Sequence, residues 1–323
     1  MNKARVVKKL RSQIGVLSYA ANMTIGMLLG AALLLVPVIP EVRAAEKESK
    51  LVEDTRTYKF AVTDIVGLEE LQREFTAFQN TLEKTTGYHF QLFPVTGRTV
   101  VVESFRSQRL DFALIGPAEY VAIRSRTNVS PLIGLKRENY RSALITRKQS
   151  GIISVGQLVD KKIAFGDFGS TSYHLAPLQL LADDGVLHQK TSTMRTVNLN
   201  KYVAWKSLLR KQVDAIGFNL SRFEQFIDED PKLHREDFTV LATTPDLPSD
   251  LFVAGKHVPI PVQEKLREVF EKEGALILEA MLHGKRNAKY LNMSFKTDIT
   301  DNDYGYIRKM YVTAGLETLA GHS

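Results

Sequence analysis

The chain has 323 residues, of which 44% are hydrophobic and 24% charged, a composition typical of a soluble globular protein long enough for two lobes. It contains no cysteine, which excludes disulfides, thiolate chemistry, Cys-based zinc sites and lipidation of a signal-peptide cysteine. Residues 1–44 hold six basic residues and one acid, so they supply +5 of the net charge of +7. The nearly neutral remainder gives no case for nucleic-acid binding.

Residues 1–44 predict an export signal. A basic segment (Lys3 to Arg11) precedes an apolar core (Gly26 to Pro40), and a cleavage position follows before Ala45. The long basic segment also fits an uncleaved anchor in the inner membrane. Residues 45–57 are charged and poor in apolar side chains, which predicts a disordered lead. We therefore expect an exported protein of the periplasm.

Strands alternate with helices in the first part of the body. Tyr58 to Val62 predicts the first strand, and apolar residues from Leu68 to Leu82 recur at steps of three and four, as on one face of a helix. Further strands are predicted at His89 to Val95 and Asp111 to Ile115, and further helices at Thr99 to Arg109 and Pro117 to Arg124. This alternation predicts a parallel sheet covered on both faces.

The same alternation restarts after about residue 150, with a helix from Lys201 to Gln212 and a strand from Val213 to Phe218. Asp111 and Asp214 each enter a buried strand, where we expect structural roles. This echo predicts two similar lobes, lobe 1 (58–147 plus 249–323) and lobe 2 (148–248).

Two segments are candidate crossings between these lobes, Tyr140 to Thr146 and Leu251 to Ala254. Two crossings would let the lobes close on a ligand by hinge motion. Helices from Val262 to Leu282 and from Asp303 to Leu316 are expected to return to lobe 1.

The stretch from Ile163 to Pro177 carries the strongest functional signal. A short apolar strand runs into a loop with two glycines, then into Ser170, Thr171 and Ser172 at the start of an apolar-periodic helix. The first N–H groups of a helix lack partners and carry partial positive charge, so this pattern favours an oxyanion site. The alternative is an ordinary Ser/Thr helix cap.

The sequence offers little for catalysis or metal binding. None of the seven histidines lies three or four residues from another, so no helical metal pair exists. Ser170 has only His174 as a nearby base, on the same helix and without an orienting acid. We expect no catalytic residue, no metal and no cofactor.

In this order the features resemble the phosphate/phosphite/phosphonate substrate-binding proteins of ABC importers. The resemblance spans most of residues 57–320 and depends on four segments: Arg-Leu-Asp-Phe-Ala-Leu-Ile-Gly-Pro (109–117), Gly-Ser-Thr-Ser (169–172), Lys-Gln-Val-Asp (211–214) and Pro-Ser-Asp (248–250). It implies an α/β fold of the two-lobed type II periplasmic binding class. Each lobe would be a mostly parallel sheet flanked by helices, with the ligand cleft between the lobes.

The resemblance also implies site residues. The hydroxyl motif would hold phosphonate oxygens at a helix N-terminus, Asp250 would bind the ligand from the other lobe, and the turn at Gly116 and Pro117 would line the cleft. Asn219 ends a strand where its amide would meet a polar ligand group, or else caps the next helix.

Several positions depart from the family pattern. Arg98 stands where phosphonate binders tend to carry a tyrosine, and Ile115 replaces an aromatic residue. Lys201, with Tyr202 beside it, falls near a family histidine, and Tyr173 replaces a glycine. If Arg98 and Lys201 face the cleft, they add charge-assisted contacts to an oxyanion; the alternative is that both are solvated.

The leading hypothesis is a monomeric periplasmic solute-binding protein that closes on a small oxyanion for an ABC permease in the inner membrane. Its candidate ligand-binding residues are Arg98, Gly116, Pro117, Ser170, Thr171, Ser172, Tyr173, Lys201, Tyr202, Asn219 and Asp250. The alternative is a membrane-anchored partner of a sensor kinase that uses the same fold. An enzyme on this fold is a third possibility, which no residue pattern supports.

Overall fold

The computed structural model describes residues 56–65, 67–96, 98–188 and 193–321. The predicted export signal and residues 45–55 of the predicted lead lie outside these ranges. Thr57, the last residue of that lead, already belongs to the first strand. No helix within the described ranges is long and apolar enough to span a membrane.

The elements follow one another as strands and helices with short connections. The strands are β1 (Thr57–Val62), β2 (His89–Leu92), β3 (Phe112–Ile115), β4 (Ser130–Lys136), β5 (Ser142–Arg147), β6 (Lys162–Phe165), β7 (Arg195–Asn198), β8 (Ala215–Asn219), β9 (Phe238–Thr243), β10 (Asp250–Ala254) and β11 (Ser294–Lys296). The helices are α1 (Leu68–Thr86), α2 (Arg98–Arg106), α3 (Pro117–Arg124), α4 (Ala176–Asp183), α5 (Lys201–Leu209), α6 (Leu220–Asp228), α7 (Ile260–Lys272), α8 (Gly274–Leu282), α9 (Gly305–Thr313) and α10 (Glu317–Ala320).

The strands form two mixed sheets. The first has the order β11-β4-β10-β3-β1-β2 and the second β7-β6-β8-β5-β9. In the first, β1 runs parallel to β2 and β3, while β10 is antiparallel to β3 and β4. In the second, β6 runs parallel to β7 and β8, while β5 is antiparallel to β8 and β9. The α/β class is therefore confirmed, with antiparallel strands beside the expected parallel ones.

Aromatic packing holds the first sheet to its helices. The period of apolar residues in α1 places Leu71, Phe75 and Phe78 in the core, and the helix ends at Gly87 with a left-handed φ of 78°. From the sheet, Phe60 lies 5.6 Å from Phe78, ring centre to ring centre. The predicted amphipathic helix is confirmed because its spacing matches the face that it buries.

The two crossings between the sheets lie side by side. Residues 137–141 and 244–249 connect the sheets, and the N–H of Leu247 donates to the carbonyl of Tyr140 at 2.8 Å. Arg141 pairs with Asp246 across the crossings at 2.6 Å. The prediction of two crossings is thus close, but its segments were wrong: β5 and β10 are buried strands within the sheets.

The predicted boundary at residue 147 also needs correction. It assigned Ser142–Arg147 to lobe 1, whereas β5 pairs with β8 and β9 in the second sheet. The predicted helical segment from Val262 to Leu282 is two helices, α7 and α8, separated at Glu273. The sheet assignment was wrong because an apolar run shows that a strand is buried, but not which sheet buries it.

Helices from the two halves pack directly on each other. Leu175 and Ala176, at the start of α4, belong to the apolar cluster on one face of the first sheet. Farther along the same contact, the hydroxyl of Thr313 on α9 donates to Gln179 on α4 at 2.7 Å. This contact brings the Ser170–Ser172 segment to the edge of the first sheet.

Candidate functional site

The candidate site lies where the carboxyl ends of parallel strands in the two sheets approach each other. From the first sheet, β3 leads into Gly116 and Pro117, and the antiparallel β10 begins at Asp250 beside it. From the second sheet, β6 leads into the Ser170–Ser172 segment and β8 ends at Asn219. Ligands of open α/β sheets bind outside this end of the strands.

The Ser170–Ser172 segment forms a tight turn with its N–H groups outward. Thr171–Leu175 is a single turn of π-helix that precedes α4, and the N–H of Leu175 donates to the carbonyl of Ser170 at 2.9 Å. Within the described part of the chain, the backbone N–H groups of Thr171, Ser172 and Tyr173 donate to no protein acceptor. Single π-helical turns are frequent at functional sites, and three free donors suit an oxyanion.

The Thr171 hydroxyl joins the two halves of the molecule. It is buried, and its Oγ1 accepts a hydrogen bond from the N–H of Ala118, in the first turn of α3, at 3.0 Å. At the same helix start, the N–H of Gly116 donates to Oε2 of Glu119 at 3.0 Å. The predicted Gly116–Pro117 turn thus lies against the hydroxyl turn, although part of its donor capacity is already used.

A buried histidine supports the loop before the turn. Nδ1 of His174 accepts a hydrogen bond from the N–H of Gly169 at 3.2 Å, and its ring lies 4.9 Å from that of Phe168. Burial lowers the pKa of His174 to about 4. The imidazole is therefore neutral at neutral pH, with Nδ1 engaged by the loop, where sequence analysis considered a base for Ser170.

Asp250 is buried and fully engaged by neighbouring side chains. Its Oδ1 lies 2.8 Å from a terminal nitrogen of Arg137, and its Oδ2 accepts a hydrogen bond from the hydroxyl of Tyr290 at 2.9 Å. Lys289 lies 3.9 Å from the same oxygen and pairs with Asp64 at 2.6 Å. Asp250 therefore holds three donors of its own lobe, a role that the sequence did not predict.

Arg137 is a buried cation that sequence analysis missed. Its guanidinium lies 3.6 Å from the centre of the Tyr140 ring, and its Nε is buried without a partner among the described residues. Burial alone would lower the pKa of Arg137, but Asp250 together with the Tyr140 and Tyr290 hydroxyls outweighs burial and raises it. No local pattern marks Arg137, because it follows an ordinary buried strand, β4.

The second sheet contributes two more cations, Lys201 and Arg222. The guanidinium of Arg222 lies 4.3 Å from the centre of the Phe226 ring, and its buried Nε has no described partner. Burial lowers the pKa of Lys201, and the charges of Arg222 and Lys289 act in the same direction. Lys289 belongs to the first lobe, so its charge reaches Lys201 across the junction; that Lys201 lines the cleft stays a prediction.

Tyr173 lies in the middle of these charges. Burial raises the pKa of its phenol and Tyr140 acts in the same sense, whereas Arg222, Arg137 and Lys289 act against it. The ring meets Phe218 edge-on at 5.0 Å, centre to centre. Tyr173, which stands where the family carries a glycine, thus fills space at the junction, and the charges of nearby cations reach its hydroxyl.

The other predicted site residues are less informative. Asn219 caps α6, because its Oδ1 accepts from the N–H of Arg222 at 2.9 Å, the alternative considered from the sequence. Tyr202 is exposed on α5, and Arg98 begins α2, but the side chain of Arg98 lies outside the described atoms. The described ranges contain no cluster of three or more His, Asp or Glu residues fit to hold a metal.

Comparisons with known proteins point to one family. A model of the phosphonate periplasmic substrate-binding proteins of ABC transporters matches residues 60–289. The phosphonates-binding periplasmic protein of Escherichia coli is 23% identical over 231 residues, which cover 69% of this chain and 68% of that protein.

Two solved structures share the fold. A binding protein component of an ABC phosphonate transporter from Pseudomonas aeruginosa is 22% identical, with a TM-score of 0.59 and coverage of 82% of this chain and 95% of that one. PhnD1 from Prochlorococcus marinus, in complex with methylphosphonate, is 20% identical, with a TM-score of 0.57 and coverage of 81% and 100%. These likenesses confirm the two-lobed type II fold. Because the family model matches well over half of the sequence, the chain belongs to the phosphonate periplasmic substrate-binding proteins of ABC transporters.

Proposed function

We propose that this protein binds a small phosphonate between its two sheets and presents it to an ABC permease in the inner membrane. One observation carries the proposal: the free N–H groups of the Ser170–Ser172 turn meet the start of α3, through the bond between Ala118 and Thr171, beside several cations. Donors that are already oriented bind an oxyanion with little loss of freedom on binding. Each charge-assisted hydrogen bond contributes about 1.5–3 kcal/mol, so several of them support micromolar affinity or better.

The same proposal includes a monomeric protein without catalytic activity. His174, the base nearest to Ser170, is held by Gly169 and shielded by aromatic rings. Family membership gives no support to the sensor-kinase alternative, because the matched family is a transporter component. We expect the N-terminus of the protein recovered from the periplasm to lie near Ala45; an intact Met1 would instead favour an anchored form.

Isothermal titration tests the binding site. We expect the protein from the periplasm to bind methylphosphonate or phosphite, and Ser170→Ala and Thr171→Ala to weaken binding at least tenfold, which is about 1.4 kcal/mol. Thr76→Ala is the matched control, because Thr76 is exposed on α1 and bonds only the carbonyl of Gln72 in its own helix. Unchanged affinity in both site variants would contradict the site, and no response to any phosphonate would contradict the proposed function.

A further inference from the structure

The junction carries more positive than negative charge. Four cations lie near the junction, two from each half of the molecule: Arg137 and Lys289 beside Asp250, and Lys201 and Arg222 beside Tyr202. Against them stand three carboxylates, namely buried Asp250, exposed Asp64 and Glu229, which lies 3.5 Å from Arg222. These four cations and three carboxylates leave one positive charge in excess.

Both carboxylates of the first lobe are already occupied. Asp250 receives Arg137 on one oxygen and the Tyr290 hydroxyl on the other, and Asp64 receives Lys289 at 2.6 Å. A ligand ammonium at this place would share these oxygens with the donors already bound and would approach their positive charges. The arrangement therefore opposes a cationic group on the ligand.

Donors, in contrast, remain unused. Nε of Arg137 and Nε of Arg222 are buried without a partner in the described part of the chain. Lys201 has no carboxylate within ion-pair distance among the same residues. The positive charge of Lys289 also acts on Lys201. Buried donors without acceptors cost free energy, and like charges repel across the junction, so an anion between the halves would relieve both costs.

These donors are separate from the Ser170–Ser172 turn. The turn offers backbone N–H groups at a helix start, whereas the cations come from the ends of β4, α5, α6 and the segment after α8. One ligand group at the turn would leave Lys201 and the buried Nε atoms of Arg137 and Arg222 without an acceptor among the described residues. The layout suits a ligand with two acidic ends.

We infer that the preferred ligand is a phosphonate that carries a second anionic group, such as a carboxylate, and not an aminoalkylphosphonate. This inference rests on the proposed phosphonate-binding function. The phosphonate group binds the N–H groups of the turn, and the second group accepts hydrogen bonds from Arg222, Lys201 and Arg137.

Titration with three matched ligands tests the inference. Phosphonoacetate, methylphosphonate and 2-aminoethylphosphonate share the phosphonate group and differ in the charge of the other end. We expect phosphonoacetate to bind at least tenfold tighter than methylphosphonate, and 2-aminoethylphosphonate to bind more weakly than either. If methylphosphonate or 2-aminoethylphosphonate binds as tightly as phosphonoacetate or more tightly, the inference is wrong and the proposed function stands. If none of the three ligands binds, the proposed function itself is wrong.

A charge-neutral variant tests the residues. We expect Lys201→Met to reduce the ratio of phosphonoacetate to methylphosphonate affinity at least fivefold, because Lys201 serves the second anionic group. Lys206→Met is the matched control on α5, since Lys206 is exposed on the same helix, and it should leave the ratio unchanged within twofold. An unchanged ratio in Lys201→Met, or an equal drop in both variants, would overturn the assignment.

Discussion

The hydroxyl turn and the charged cluster of Arg137, Asp250 and Lys289 offer donors to a proposed anionic ligand in different ways. The turn uses neutral N–H donors from consecutive residues, Thr171 to Tyr173, held by the backbone of one loop. The cluster uses full charges from residues far apart in the chain, since Arg137, Asp250 and Lys289 come from three separate segments. Neutral donors at a helix start need only local structure, whereas buried charges need partners that the fold must bring together.

This difference predicts different failures. Loss of a group from the turn removes a ligand contact and a hydrogen bond, while loss of a partner from the cluster leaves uncompensated charge in a buried place. Mutations in the turn should therefore weaken binding with a small loss of stability, whereas loss of Asp250 should act mainly on stability. Three experiments test this contrast, and another tests the buried His174 beside the turn.

The largest effect is expected from Asp250→Ala. Removal of this carboxylate leaves Arg137 and Tyr290 without their acceptor, which should lower the free energy of unfolding by about 3–5 kcal/mol. Urea unfolding measures the loss. The matched control is Asp246→Ala, which breaks another Asp–Arg pair at the junction, but one that is exposed on both sides; it should cost less than about 1 kcal/mol. Equal losses would show that the Asp250 cluster is not a buried, coupled unit.

The next effect concerns pH and His174. The folded state keeps this imidazole neutral down to about pH 4, whereas an unfolded histidine takes up a proton near pH 6.5. Between these values the unfolded chain binds the extra proton, so stability falls as the pH falls, by at most about 3 kcal/mol.

Unfolding of the wild type and of His174→Gln between pH 7 and pH 4 measures this contribution. The difference in unfolding free energy between the two proteins should shrink with falling pH, because only the wild type has an imidazole whose protonation favours the unfolded chain. A difference that stays constant across the range would contradict the assigned proton linkage.

A smaller loss is expected from Gly166→Ala, which tests the shape of the turn. A Cβ at Gly166 would lie 2.3 Å from the Cβ of Tyr173, so the loop would have to move away from the end of β6. We expect a loss of about 2 kcal/mol in the free energy of unfolding together with weaker ligand binding. Gly156→Ala is the control, because its added Cβ meets nothing within 4 Å. If Gly166→Ala behaves like Gly156→Ala in both assays, the close approach of loop and turn is wrong.

The smallest stability effect is expected from Thr171→Val. The valine keeps the shape of the side chain but removes the acceptor of the buried Ala118 N–H, at a cost of about 1 kcal/mol in unfolding free energy. Thr171→Ser keeps a hydroxyl and should retain most of that stability. A valine variant as stable as the serine variant would show that the hydroxyl does not join the two halves.

Sequence analysis predicted the helices and strands better than it predicted which elements pack beside one another. Apolar period, proline and glycine predicted the helices α1 and α3 and the helix start at Ser170–Ser172. The structure confirms all three. The sheet membership of β5 was wrong, because a buried strand has the same apolar sequence in either sheet. The role of Asn219 was left between ligand and cap, and the structure shows the cap.

The sequence alone determined the α/β alternation, the family resemblance and the position of the Ser170–Ser172 turn, because these depend on side chains within a few residues of one another. Only the tertiary structure decided that Asp250 is held by Arg137 and Tyr290, and that Thr171 accepts a hydrogen bond from Ala118 in the other half. The physical reason is that the charge a ligand meets is a sum over residues from distant segments. Their meeting depends on the path of the whole chain, which no local pattern of residues encodes.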